Sequence, residues 1–217
     1  MKYIFLFVSF VFLSSMYSQG IQNTFWGGIG LRTSVTKNFR IDLEQQLREE
    51  NAFSDFKNTF SELALNYKLK KFKFNSSYRY MIWNRGVRHR FAADVYYKQS
   101  LIKKKVGLLF RERLQEFTWQ DDKSKNTNIR SLLMIEYGLK KLGKLFLGNE
   151  LFFQLNGINK FQNYRLSFGA NWKLLNHINL MTYYNMQTSI NSSLTSINHM
   201  FVLRAFYKIN PFTKTKN

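Results

Sequence analysis

The amino-acid sequence predicts an all-β protein that folds as a single antiparallel transmembrane β-barrel of about 10–12 strands. Apolar and polar residues alternate along almost the whole chain after residue 20, which is the periodicity of β-strands. The alternating segments are about ten residues long, the length that a tilted strand needs to cross a bilayer. The one proline, Pro211, lies beyond the last predicted strand, where it interrupts no ladder of hydrogen bonds.

The first twenty residues have the features of a secretory signal peptide. Lys2 supplies the positive charge, the stretch from Tyr3 to Leu13 is almost wholly apolar, and Ser18 and Gly20 are small residues suited to cleavage. This apolar stretch is too short for a membrane-spanning helix, which needs about 20 residues. We therefore expect a cleaved signal peptide at 1–20, a barrel at 21–210 and a short C-terminal tail at 211–217.

The alternation divides the exported chain into eleven predicted strands. In one of them, Phe39, Ile41 and Leu43 alternate with polar neighbours. The strands are predicted at 24–35, 39–50, 58–69, 72–83, 88–99, 105–118, 127–139, 144–155, 162–173, 177–189 and 196–208. Bacterial barrels usually have an even number of strands. An odd number therefore indicates a missed or merged strand and favours ten or twelve.

The connections between the predicted strands alternate in length. Shorter ones fall near 36–38, 70–71, 100–104, 140–143 and 174–177. Longer ones fall near 51–57, 84–87, 119–126, 156–161 and 190–195. Short periplasmic turns and longer extracellular loops are typical of outer-membrane barrels. Together with the signal peptide, this pattern predicts a location in the cell outer membrane.

Aromatic residues recur on the apolar face of the strands near the short turns: Tyr67, Tyr97, Tyr137, Trp172 and Tyr207. Tyr and Trp favour the lipid–water boundary, so we expect a periplasmic-side girdle, with the neighbouring lysines reaching lipid headgroups. Six more aromatics lie near the opposite strand ends. We expect them to form a second girdle: Trp26, Phe60, Trp83, Phe117, Trp119 and Phe161.

The polar faces of the strands carry both arginines and carboxylates, and we predict that they form a charge network in the lumen. Its members are Arg32, Arg40, Asp42, Glu44, Arg48, Glu62, Arg79, Arg88, Arg90, Asp94, Arg111, Arg113, Arg130, Glu136, Glu150, Arg165 and Arg204. Arg forms bidentate pairs with carboxylates and always stays charged. Two interpretations remain open, a structural network that fills the barrel and a narrow passage that prefers anions.

Two acidic residues do not fit the alternation. Glu112 and Glu116 occupy even-numbered positions, as Val106, Leu108 and Phe110 do, and therefore lie on the face of the strand that is predicted to contact lipid. Either a β-bulge near Phe110 shifts the register, or this end of the strand stands above the bilayer.

Several short motifs resemble one family: the strand of Trp26, the charged strand Asp42–Arg48, Tyr78-Arg79-Tyr80, Arg88-His89-Arg90 and Phe110–Glu116. With these motifs, the mature chain resembles the domain of unknown function 2490 (DUF2490) family, outer-membrane β-barrels common in Bacteroidetes. The resemblance implies the fold and the location. It implies no activity, because none is established for the family.

An enzyme, a soluble protein and a nucleic-acid-binding protein are the alternatives. The chain has no Cys and three scattered His, so we predict no catalytic, cofactor-binding or metal site. His199 with Ser192, Ser193 or Ser196 is the basis for an outer-membrane lipase or acyl-transfer enzyme. A soluble periplasmic ligand-binding barrel shares the same periodicity. The net charge of +20 suggests nucleic acid, but an exported chain with its lysines at strand ends argues against that partner.

The expected partners are membrane lipid and the outer-membrane assembly machinery, and the expected state is a monomer. A structural or assembly protein that uses its loops or its lysines as a contact surface is a further alternative. The sequence identifies no solute or lipid ligand.

Overall fold

The structure, a computed structural model, describes residues 21–51, 55–102, 105–120, 125–156, 160–190 and 197–209. The expected signal peptide and the whole of the expected tail lie outside the described residues. The strands are β1 (Ile21–Ser34), β2 (Phe39–Glu50), β3 (Asp55–Leu69), β4 (Phe72–Trp83), β5 (Gly86–Ser100), β6 (Val106–Trp119), β7 (Lys125–Gly138), β8 (Gly143–Gln154), β9 (Lys160–Lys173), β10 (Ile178–Ser189) and β11 (Ile197–Ile209).

These strands form one closed barrel. Consecutive strands pair antiparallel, and the barrel closes where β1 and β11 run parallel, with Ile21 opposite Ile197 and Thr33 opposite Ile209. The predicted all-β barrel is confirmed. Within the described part of the chain the strands number eleven, which agrees with the eleven predicted segments and with the predicted range of about 10–12. The further expectation that the true number is even, ten or twelve, is wrong for these residues, because the first and last strands run parallel and an odd number of strands can then close the barrel.

The observed strands begin and end within three residues of their predicted bounds. The connections at one end, which we call the turn end, are 35–38, 70–71, 101–105, 139–142 and 174–177. Those at the other, the loop end, are 51–54, 84–85, 120–124, 155–159 and 190–196. Their lengths differ less than predicted because β3, β5, β7 and β9 begin inside the segments predicted as loops.

Side chains alternate between the two surfaces of the barrel. Leu43, Leu63 and Phe168 point outward and stay exposed, whereas Arg130 and Glu150 point inward and are buried. An apolar exterior around a charged interior is the arrangement of a transmembrane barrel and the reverse of a soluble one. None of the described residues belongs to a helix long and apolar enough to cross a membrane.

The strand β6 keeps its register through the acidic residues. Its pairing with β5 and β7 is unbroken, with Glu112 opposite Val95 and Ser131. Register shifts among the described strands occur instead at Arg48/Glu49 and Phe152/Phe153. There is thus no bulge near Phe110, and Glu112 faces outward.

The turn between β7 and β8 depends on Gly143. Its φ is 139°, and a Cβ there would lie 2.1 Å from the backbone oxygen of Asn171. We expect Gly143→Ala to lower the free energy of unfolding by about 1–3 kcal/mol, because it adds both a strained φ and a clash. Urea unfolding in detergent, followed by tryptophan fluorescence, measures the change. Gly107→Ala is the control, since its nearest neighbour atom would lie at 3.6 Å. Equal effects of the two substitutions would contradict the prediction.

Candidate functional site: the arginine-lined lumen

The lumen contains a cavity of about 640 Å³. Eleven arginines and Lys73 line it, against four carboxylates: Asp42, Glu44, Glu62 and Glu150. The structure places every arginine of the predicted network on this wall: Arg32, Arg40, Arg48, Arg79, Arg88, Arg90, Arg111, Arg113, Arg130, Arg165 and Arg204. A cavity of this size has room for roughly 20 waters, at about 30 Å³ each. The cavity therefore has room for water and small ions beside a predominantly positive wall.

Glu150 is the centre of the largest cluster on this wall. The Nε and Nη2 atoms of Arg130 donate to its two carboxylate oxygens at 2.9 and 2.7 Å. Arg165 donates from Nη1 at 3.4 Å, and Arg111 also donates to the same carboxylate. Glu150 is only 4 % exposed. One carboxylate on β8 thus holds three guanidiniums that come from β6, β7 and β9.

A second cluster lies on β2 to β5 and includes Arg204 from β11. Glu44 and Glu62 are directly opposite each other on adjacent strands, which would be repulsive without cations. Arg79 donates from Nε to Glu62 at 2.7 Å, and Arg90 donates to the same carboxylate. Arg204 donates to Glu44 across the closure of the barrel. Each carboxylate therefore has a cation from a different strand.

The remaining acids of the predicted network are Asp42 on the wall, Asp94, which is buried and does not line the cavity, and Glu136 at the turn end. Arg113 binds Asp94 in a bidentate pair at 2.5 and 2.9 Å. Asp42 pairs with Arg40 at 2.7 Å. The structure does not bring Glu136 to this cavity.

Glu136 belongs to a smaller cavity of about 250 Å³ at the turn end. Lys98 and Lys144 both contact its carboxylate, the latter at 3.2 Å, and Lys105 also lines this space. The turn-end cluster is thus positive as well, because three lysines surround one carboxylate.

Aromatic rings support two arginines of the cavity wall that have no carboxylate partner. Among the described residues, Arg48 and Arg88 form no ion pair. The Arg48 guanidinium lies 3.9 Å from the centroid of the Trp26 ring, and that of Arg88 lies 4.0 Å from that of Phe117. Such cation–π contacts stabilise a guanidinium without neutralising it.

The predicted second girdle is therefore wrong for most of its members. Trp26, Trp83 and Phe117 line the cavity, Phe60 is buried under Arg48 and Arg79, and Trp119 contacts Arg88. Among these six aromatics, Phe161 alone is exposed, as a member of a girdle would be. The reason is parity. On each strand, the ring that points into the lumen is separated by an even number of residues from the inward charged residues, so that both lie on the same face. The sequence alone contains this spacing.

The five turn-end aromatics point outward within three residues of a strand end. Tyr67, Tyr137 and Tyr207 stay exposed. The Tyr97 ring packs against Phe72 at a centroid distance of 5.3 Å, and the Trp172 indole donates to Thr182 at 2.9 Å. This placement suits a lipid–water boundary, which remains a prediction.

The residues of the enzyme alternative are not all described. His199 lies on the outer face, where its Nδ1 contacts the Tyr184 hydroxyl. Ser192, Ser193 and Ser196 lie outside the described residues. Within the described part of the chain, no group of three or more His, Asp and Glu side chains could hold a metal ion.

Residues 23–198 match the model of the family described as Protein of unknown function (DUF2490). The chain belongs to this family. Among solved structures, the NanC porin has 11 % identity and a TM-score of 0.51, with 76 % of this chain and 85 % of that chain aligned. An anion-selective porin from Comamonas acidovorans has 10 % identity and a TM-score of 0.43, with 80 % and 54 % aligned. No curated protein matches. The likeness of this DUF2490 protein to the NanC porin supports the barrel fold.

Proposed function

We propose that this protein is an outer-membrane barrel that binds small anions in its lumen and lets them cross the bilayer. The observation that carries the proposal is the composition of the lumen wall, which contains twelve cationic side chains and four carboxylates. A low-dielectric wall around one sign of charge concentrates ions of the opposite sign and excludes the others.

The proposed passage contains two kinds of arginine, those that carboxylates hold in place and those that no carboxylate neutralises. The carboxylates of Glu44, Glu62 and Glu150 hold their arginines in place on several strands. Arg48 and Arg88 rest on aromatic faces and keep their full charge toward the cavity. An anion entering the lumen would exchange part of its hydration for guanidinium hydrogen bonds, which suit carboxylates and phosphates.

The proposed location follows from the outer surface. The outward side chains are largely Leu, Ile, Val, Phe and Tyr, and many of them are exposed on the barrel. A patch of this extent is unfavourable in water and is what a lipid bilayer covers. The predicted signal peptide would provide export to that membrane.

Recording from single proteins in planar bilayers tests the proposal. We expect small, stable conductance steps under a KCl gradient, and a reversal potential with the sign of chloride permeation. Heat-modifiable migration and strand-rich circular dichroism establish that the sample is folded. Cation selectivity in a folded sample would overturn the proposal.

A structural barrel without a passage is the second candidate. It is supported by the density of the network, in which one carboxylate binds up to three guanidiniums. The same recording separates the two candidates, because a filled lumen gives no conductance steps in well-folded protein.

A further inference from the structure

Three polar residues lie on the outward face of β6, β7 and β8. Ser131 donates from Oγ to the Glu112 carboxylate at 2.8 Å. The Asn149 side chain is exposed and forms no hydrogen bond to a described residue. Large apolar side chains surround the three: Phe110, Leu114, Leu133, Ile135, Leu147 and Leu151.

These polar groups lie at the middle of the barrel wall. Glu112 is six residues from the turn-end terminus of β6, Asn149 is six from that of β8, and Ser131 is seven from that of β7. They are therefore well away from the aromatics at the turn end. In hydrocarbon, a polar group without a partner is strongly unfavourable.

Another outward polar group shows the contrast. On β2 and β3, the Gln45 amide donates to Thr59 at 2.8 Å, and Ser61 donates to Gln45. Those side chains satisfy one another within one chain. Asn149 and the second oxygen of Glu112 have no such partner among the described residues, which favours a partner from outside the chain.

The register of the sheet sets the relative heights of the two residues. A row of paired residues begins at Asp42 near the turn end of β2 and reaches Gln154 at the loop end of β8. Residues that pair across neighbouring strands therefore lie progressively closer to the loop end of the barrel on going from β2 to β8. Glu112 pairs with Ser131, which in turn pairs with Leu151 on β8. Because of the tilt, Leu151 lies closer to the loop end than Glu112 does. Asn149 is two residues nearer the turn end than Leu151 and therefore lies at nearly the height of Glu112.

We propose that this face is an interface between two copies of the chain, related by a twofold axis along the membrane normal. Such an axis brings β6 of one copy against β8 of the other. Glu112 then accepts a hydrogen bond from the partner's Asn149, the same pair forms a second time, and Ser131 lies beside the axis. Polar side chains that meet across an apolar membrane interface stabilise association. The inference rests on the bilayer placement in the proposed function, and it replaces the expected monomer with a dimer.

Single cysteines test the interface cleanly, because the chain has no Cys. In proteoliposomes treated with copper phenanthroline, Ser131→Cys should form a disulfide-linked dimer. Leu43→Cys should not, since β2 lies on the opposite side of the barrel and this residue is also outward and exposed. A mixture of Glu112→Cys and Asn149→Cys proteins, carrying different tags, should form the mixed dimer. Equal cross-linking at 131 and 43 would overturn the dimer.

Conductance recorded from the same samples separates the two proposals, and heat-modifiable migration shows which samples are folded. A barrel that inserts and conducts without cross-linking at Ser131 contradicts the dimer and leaves the passage intact. A barrel that cross-links but does not conduct contradicts the passage alone. A chain that never inserts contradicts both proposals.

Discussion

Replacing Glu150 with glutamine should lower the free energy of unfolding by about 3–5 kcal/mol, the cost of breaking a buried ion pair by removing one partner. The substitution keeps the shape of the side chain and removes its charge. Arg111, Arg130 and Arg165 would then share a neutral amide in place of a carboxylate that is 4 % exposed. Because the four side chains lie on β6 to β9, we expect the loss of charge to weaken this whole side of the barrel.

Urea unfolding in lipid vesicles, followed by tryptophan fluorescence, measures the effect. Glu116→Gln is the matched control, since it removes the same charge from an outward carboxylate that pairs with Lys125 at 3.4 Å. Exposed ion pairs contribute about 0–1 kcal/mol, so the control should change little. If Glu150→Gln unfolds at the same urea concentration as the wild type, the carboxylate does not hold the network together.

The sequence predicts most of the strands because their alternation is local. The bounds of β2 agree with prediction to the residue, since ten consecutive positions alternate between Phe39 and Arg48. The closure was not predictable in the same way. The parallel pairing of Ile21 with Ile197 joins segments at opposite ends of the chain, and alternation within either strand carries no information about its partner.

The lumen illustrates the same limit at the level of side chains. Parity placed Arg111, Arg130 and Glu150 inward, and the structure has them there. That Arg111 reaches Glu150 across β7 depends on the stagger of the strands around the barrel, which no single strand reveals.

The aromatic residues show where residue type misleads. Trp26 and Phe117 lie near the loop-end termini, and the general preference of aromatics for membrane boundaries assigns them to a girdle. Their parity assigns them to the lumen, where they stack on guanidiniums. For a barrel rich in inward arginine, the face of the strand is therefore the stronger predictor. By the same rule, Glu112 belongs to the outer face, as the register of β6 requires.

The double substitution Arg48→Gln and Arg88→Gln should strongly reduce the preference of the lumen for anions. Neither guanidinium pairs with a described carboxylate, so both charges act on the ions in the cavity rather than on a neighbouring acid. A unit charge about 4 Å from an ion contributes about 1 kcal/mol in water, which corresponds to roughly a fivefold change in the occupancy of an anion beside each charge, and it acts on a cation in the opposite sense. The reversal potential under a KCl gradient in planar bilayers measures the change.

Lys37→Gln with Lys141→Gln is the matched control, because it removes two charges from exposed turn-end positions outside the cavity lining. Screening limits the influence of such solvated charges to about one Debye length, ~10 Å at moderate salt. The control should therefore keep the wild-type selectivity. If both double variants shift the reversal potential equally, net charge rather than the two aromatic-supported arginines sets the preference. If only the lumen variant shifts it, the cation–π contacts that hold Arg48 and Arg88 are part of the selectivity mechanism, since they keep these charges in the lumen without a neutralising carboxylate.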